Sequence, residues 1–146
     1  MSQDKDYVSV HIGEGFYTEI SSNGHTLVAD EPESFGGTNE GPTPYDFLLG
    51  ALGSCTAMTL RLYANRKDWP LDSVTVRLSH GKIYADDCEN CETETGRIDR
   101  IEREIELEGD LSKEHREKLL QIADKCPVHQ TLTSETVIEG RTPARS

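Results

Sequence analysis

"FLLGALGSCTAMTLRLYANR", Phe47 to Arg66, decides how this chain is read. Its apolar and small residues recur at three- and four-residue steps, the period of a helix rather than of a strand. Thr43 precedes it as a cap, and Pro44 takes the first helical position, where a missing N–H costs nothing. Trp69-Pro70 closes the far end, so the pattern predicts a helix from Pro44 to Arg66 or Lys67. Leu48, Leu52, Cys55, Thr59 and Leu62 fall on one stripe. Gly50, Gly53, Ala57 and Ala64 fall on a second, of small residues that admit close approach by another backbone. A helix apolar or small on two sides is expected in a core. Cys55, near its centre, is either core filler or a thiol placed to react. No charged residue within one turn shares its face, so an activating charge has to come from elsewhere in the fold or from another subunit.

On the N-terminal side, "YVSVHIG" alternates as a half-buried strand does, "FYTEIS" returns, and Asn23-Gly24 turns the chain into "HTLVAD". This predicts a three-stranded meander. "EPESFGGTNEGPTP" is dense in Gly and Pro and reads as an ordered loop leading into the helix. On the C-terminal side, "SVTVRLSHGKIYA" is a long alternating strand and "GRIDRIEREIELEG" a second, its alternating charges read as a solvated face. "SKEHREKLLQIADK" is an amphipathic helix expected to bury Leu119, Leu120, Ile122 and Ala123. "CPVHQTL" follows, "TSETVIEG" reads as a closing strand, and "RTPARS" as a frayed tail. Trp69 is expected to close the core at the end of the first helix. Strands, helix, strands, helices and strand in this order predict an α+β fold in one domain, residues 1–146.

The 146 residues suit a single core. Only 34% are hydrophobic, a lean core that gains from burial against a second copy. The formal net charge of -12 repels nucleic acid and anionic membranes, so neither is expected as a partner. No apolar run is read as long enough to span a bilayer, and "MSQDKDYVSV" lacks the basic and apolar parts of a signal peptide. A cytoplasmic location is expected. There, four cysteines are more often reactive or metal-binding than structural disulfides.

Cys126 follows one helix and precedes Pro127, which is favoured at the first position of another. Its sulfur would then meet unpaired backbone N–H groups, which favour thiolate over thiol. Lys125 and His129 stand close enough to add positive charge. The other reading is a helix-junction cysteine without chemistry. Cys88 and Cys91 form a C-x-x-C in the turn between the two long strands. They read equally as half of a zinc site, with His80, Asp86, Asp87 or Glu89 or a second subunit completing it, as a redox pair, or as two inert turn residues.

"GPTPYDFLLGALGSCTAMTL" and "ADKCPVHQTL", in this order and spacing, resemble the OsmC/Ohr family, and more closely its OsmC-like branch. The resemblance covers most of the chain. It implies curved antiparallel sheets packed on two main helices, an intertwined homodimer, and reduction of small organic hydroperoxides with no cofactor required. By motif match Cys55 is the peroxide-attacking thiol and Cys126 the resolving one, with a dithiol or lipoyl-type molecule as reductant. Two family features differ here. The glutamate expected after the helix-opening proline is Tyr45, followed by Asp46. The arginine expected in the N-terminal strands is absent, leaving His11, His25 or His129 to support a thiolate. The alternative is a non-enzymatic thiol- or metal-sensing protein using Cys88 and Cys91, with zinc as the candidate metal.

Overall fold

The meander, the cysteine helix, the two long strands and the amphipathic helix all form near where their patterns put them. The computed structural model describes residues 7–88, 91–93 and 96–143. The chain divides into two compact units, Met1–Gly50 and Ala51–Ser146.

In the first unit, β1 (Ser9–Ile12), β2 (Thr18–Ser22) and β3 (His25–Ala29) make an antiparallel sheet in that order. Val10 pairs with Ile20, and Ile20 with Leu27, so one apolar row crosses the sheet. Asn23 and Gly24, with φ of 49° and 83°, supply the two left-handed positions that a tight hairpin turn needs. The Gly- and Pro-rich loop is ordered around Asp30, which is only 2% exposed. Its carboxylate accepts the Glu31 N–H at 2.7 Å, the Thr38 hydroxyl at 2.8 Å and the Glu40 N–H at 3.1 Å. The Glu31 N–H above all, then Thr38 and Glu40, hold this carboxyl below its ordinary range against the opposing effect of burial. Gly37 is required here. A Cβ at that position would overlap the Glu31 carbonyl and crowd the Asp30 carboxylate.

Helix α1 (Pro44–Lys67) begins in the first unit and continues into the second. Thr43 Oγ1 accepts the Asp46 N–H at 3.2 Å, and Asp46 Oδ2 accepts the Thr43 N–H at 3.0 Å, a reciprocal cap. The helix ends where the Trp69 N–H returns to the Ala64 carbonyl at 2.9 Å.

In the second unit, β4 (Leu71–Tyr84) and β5 (Arg97–Gly109) form a long antiparallel hairpin, followed by α2 (Lys113–Ala123) and α3 (Pro127–Leu132). Ser112 caps α2 by accepting the His115 N–H. The core joins Leu60 and Ala64 of α1, Leu71 of β4, and Leu119, Ile122 and Ala123 of α2. Leu60 and Leu119 are fully buried, each contributing about 2 kcal/mol by removal from water. Trp69 packs on this cluster as expected, edge-on to Tyr63 and stacked on the His115 ring at 4.1 Å.

Four expectations need correction. The buried residues of α1 are Leu52, Gly53, Thr56, Leu60 and Ala64, a single face between the two anticipated stripes. Met58 and Leu62 on the other side are 70% and 52% exposed. On α2, Leu120 is 47% exposed, because the helical turn carries it off the face that holds Leu119, Ile122 and Ala123. The segment read as a closing strand has none. It pairs with neither sheet, and Val137 and Ile138 stand exposed. By length and composition α1 is apolar enough to cross a membrane, contrary to the sequence reading, with a mean hydropathy of 1.3. Its buried face, packed within the second unit, is how a core helix meets the same criterion.

Candidate functional site: two thiols and a hidden cation

Cys126 sits where its sequence context predicts, at the N-cap of α3 with Pro127 in the first turn. Its side chain is fully buried. Sγ accepts the His129 N–H at 3.4 Å and lies 3.9 Å from the Thr56 hydroxyl. Cys55, next to Thr56 on α1, stands close enough to this sulfur for each thiol to shift the other's ionisation. The fold therefore brings together two cysteines distant in sequence, and both are free.

Their environments differ. Cys55 is half-buried and lines a largely apolar cavity of about 450 Å³ with Ala51, Ser54, Met58, Thr59, Leu62, Pro127 and Val128. Burial pushes both thiols up. At Cys126 the hydrogen bonds from Cys55, the His129 and Val128 N–H groups and the Thr56 hydroxyl outweigh burial and hold it below the ordinary 9.0. At Cys55, burial and the proton it gives to Cys126 keep it above 9.0. When the pair gives up one proton, these surroundings favour the charge on Cys126 and the proton on Cys55.

A cation stands behind this pair, and it is one the sequence reading missed. Arg103 Nη1 donates to Thr56 Oγ1 at 3.2 Å, and Nη2 to Asp124 Oδ1 at 2.8 Å. Its side chain is 13% exposed, so the charged strand is not solvated throughout. The signal lay in the phase of β5: Arg103 falls in step with Ile101, Ile105 and Leu107, the inward-leaning positions. It pairs with Leu78 across the hairpin, and Leu78 meets α1 at Gly53. A Cβ on Gly53 would lie 2.8 Å from Leu78 Cδ1. The bare glycine lets α1 settle close to β4, with Thr56 three residues further along facing the same way.

The other candidates fall in various places. His129 serves Cys126 through its backbone N–H. Lys125 is exposed in the turn between α2 and α3. Tyr45 and Asp46 occupy the first turn of α1 in the N-terminal unit, where the Asp46 carboxylate closes the helix cap. His11 and His25 are exposed on β1 and β3. His80 is bonded to Asp99 at 2.9 Å. Cys88 and Cys91 are joined to each other in a disulfide. Sulfurs so bonded are not the thiolates that zinc takes, and no three His, Cys, Asp or Glu side chains gather as cation ligands among the described residues. The donor set proposed from the sequence does not fit zinc in this state. Asp86 and Asp87 lie in a 3₁₀ turn beside Cys88, and Glu89 lies outside the described residues.

A family model described as OsmC-like protein matches residues 37–140, which include both free cysteines. The fold is that of several solved structures. An OsmC-like protein from Mycoplasma pneumoniae superposes with a TM-score of 0.69 at 19% identity, over 90% of this chain and 89% of that one. An organic hydroperoxide resistance protein OsmC from Legionella pneumophila gives 0.63 at 19%, over 91% and 92%. An organic hydroperoxide resistance protein from Elizabethkingia anophelis gives 0.62 at 16%, over 90% of each chain. Comparison with curated proteins gave no match.

Proposed function

The chain belongs to the OsmC-like protein family, and we propose that it is a thiol-dependent peroxidase that reduces small organic hydroperoxides through Cys55 and Cys126. One observation carries this reading: the two free thiols are neighbours in the fold, and the less buried one opens onto an apolar cavity. Similar structures named for organic hydroperoxide resistance lend it support at the level of fold.

The chemistry follows with Cys126 as the thiolate of the pair. As Cys55 attacks the distal oxygen of ROOH, the Cys126 thiolate takes the Cys55 proton. The O–O bond breaks, the alkoxide leaves, and it recovers that proton as ROH. Cys55 is now a sulfenic acid and Cys126 again a thiolate. The Cys126 sulfur then attacks the Cys55 sulfur and expels hydroxide, which is protonated to water. Two thiols and one hydroperoxide become a disulfide, an alcohol and water. An external dithiol returns the pair to its reduced form by exchange. Met58, Leu62 and Val128 on the cavity wall favour an alkyl or aryl group on the peroxide over hydrogen peroxide.

The acting form is a homodimer in this proposal. Met58 and Leu62 leave an apolar face of α1 uncovered in a single chain, and a second copy would cover it while enclosing the cavity. We assign its place of action to the cytoplasm, where dithiols are kept reduced. The test is consumption of cumene hydroperoxide by the reduced protein with a dithiol in excess. Multiple turnovers in the native chain, none in Cys55→Ser, and one oxidation per chain in Cys126→Ser are expected. Turnover persisting in Cys55→Ser rejects the assigned attack. Slow stoichiometric oxidation of the native chain would instead fit a thiol sensor.

A further inference from the structure

We propose that Arg103 is a positioning residue for the thiol pair: it occupies a lone pair of the Thr56 hydroxyl and polarises the O–H that turns to the Cys126 sulfur when that sulfur is a thiolate. This rests on the reading of Cys126 as the resolving thiol and adds to it the source of its cation.

The argument is one of donors and acceptors. A threonine hydroxyl has one proton and two lone pairs, whereas a guanidinium only donates. With Arg103 Nη1 at 3.2 Å, a lone pair of Thr56 Oγ1 is taken and its proton cannot point that way. The proton has two remaining takers, the Leu52 carbonyl at 2.7 Å and Cys126 Sγ at 3.9 Å. A neutral thiol is a weak acceptor, and the carbonyl wins. A thiolate is a strong one, and the bond to sulfur becomes charge-assisted. The hydroxyl is thus a two-position device that answers to the charge on Cys126, with a buried cation polarising it from behind.

The ion pair to Asp124 at 2.8 Å holds Arg103 in this pose. The charged and titratable groups around Cys126 are Cys55 from α1, Arg103 from β5, Asp124 and Lys125 from the end of α2 and the following turn, and His129 of α3. Arg103 is the buried cation among them, and it reaches the sulfur only through Thr56. The arginine that the family resemblance expects from the N-terminal strands has, on this view, a counterpart on a different strand acting on the second cysteine.

The experiment follows the Cys126 ¹³Cβ resonance against pH in the reduced full-length protein, with no peroxide present. Thr56→Val keeps the buried shape and removes the hydroxyl; Thr56→Ser restores it. Arg103→Met removes the cation; Arg103→Lys restores a charge. The expected result is a titration midpoint higher by about one pH unit in Thr56→Val and Arg103→Met, a tenfold smaller thiolate fraction. Thr56→Ser should return to the native value and Arg103→Lys part of the way. If Arg103→Met fails to fold, the Thr56 pair still decides. Coincident midpoints in the native chain and Thr56→Val would overturn the proposal. A parallel stopped-flow measurement separates the two ideas. Native peroxide turnover with unmoved midpoints leaves the peroxidase reading standing and removes Arg103. Moved midpoints without turnover do the reverse. With both intact, peroxide turnover below the titration midpoint should be about tenfold slower in Thr56→Val than in Thr56→Ser, because the Cys126 thiolate serves both oxidation and resolution.

Discussion

Asp30 and Cys126 are the two buried acids among the described residues whose donors hold them below their ordinary range, and they are built alike up to a point. Each is almost fully covered and receives backbone N–H groups and one threonine hydroxyl. Around Asp30 all the donors come from the next ten residues of one loop, and all are inert. Around Cys126 they come from α1 and α3, with β5 behind, and one of them is itself a nucleophile at a cavity wall. Neutral donors are enough to make a stable buried anion. Reactivity needs, in addition, a neighbour whose bonding can change and a route for a substrate to reach it.

The contrast can be broken most sharply at the sulfur. Cys126→Ser should cut peroxide turnover more than about a hundredfold, because an alcohol does not resolve a sulfenic acid. Its melting temperature should stay close to native, since serine fills the same cap. Stopped-flow turnover and a thermal melt on the same sample check both halves. Next in size is Gly37→Ala, whose added carbon must displace the Glu31 carbonyl and the Asp30 carboxylate. A loss of about 3 kcal/mol in urea unfolding is expected, and a neutral outcome would mean the loop is not held by Asp30.

Asp30→Asn should lower the melting temperature by about 5 °C at neutral pH. The sign with pH is fixed by the lowered carboxyl. Asp30 stabilises the fold at pH above its ordinary 3.8, and that contribution disappears as pH falls through its folded value. The native chain and Asp30→Asn should therefore converge in acid, which melts from pH 7 down to pH 2 would reveal. Cys126 gives the matching curve: the rate of disulfide formation should rise with pH to a plateau whose midpoint lies below 9.0. The smallest effect is that of Thr38→Val, which removes the hydroxyl donor from Asp30 and keeps its backbone donors. A drop of about 2 °C is expected, with the acid limb moved to higher pH.

Much of this was legible in the residues, where local rules act alone. Thr43-Pro44, Asn23-Gly24 and Cys126-Pro127 each state a cap or a turn within a few residues, and each forms as read. What was not legible depends on partners distant in sequence. The buried face of α1 follows from what packs on it, so a helix apolar on most sides could not declare which face was inward. "TVIEG" has the composition of a strand, yet a strand forms only where a neighbour pairs with it, and composition does not name that neighbour. The pairing of Cys88 with Cys91 is one of several outcomes their spacing permits. Arg103 is the instructive miss. Its charge argued for water, while its two-residue phase with Ile101, Ile105 and Leu107 argued for the interior, and the phase was the better guide.

The bare Cα of Gly53 sets how far α1 sinks toward Leu78. That depth acts as a ruler for everything further along the helix. A bulkier side chain there would lift the helix like a shim, and the lift would be felt at the hydroxyl one turn away, where a few tenths of an ångström separate contact from a gap. The chemistry of two sulfur atoms is thus calibrated by a position that carries no functional group.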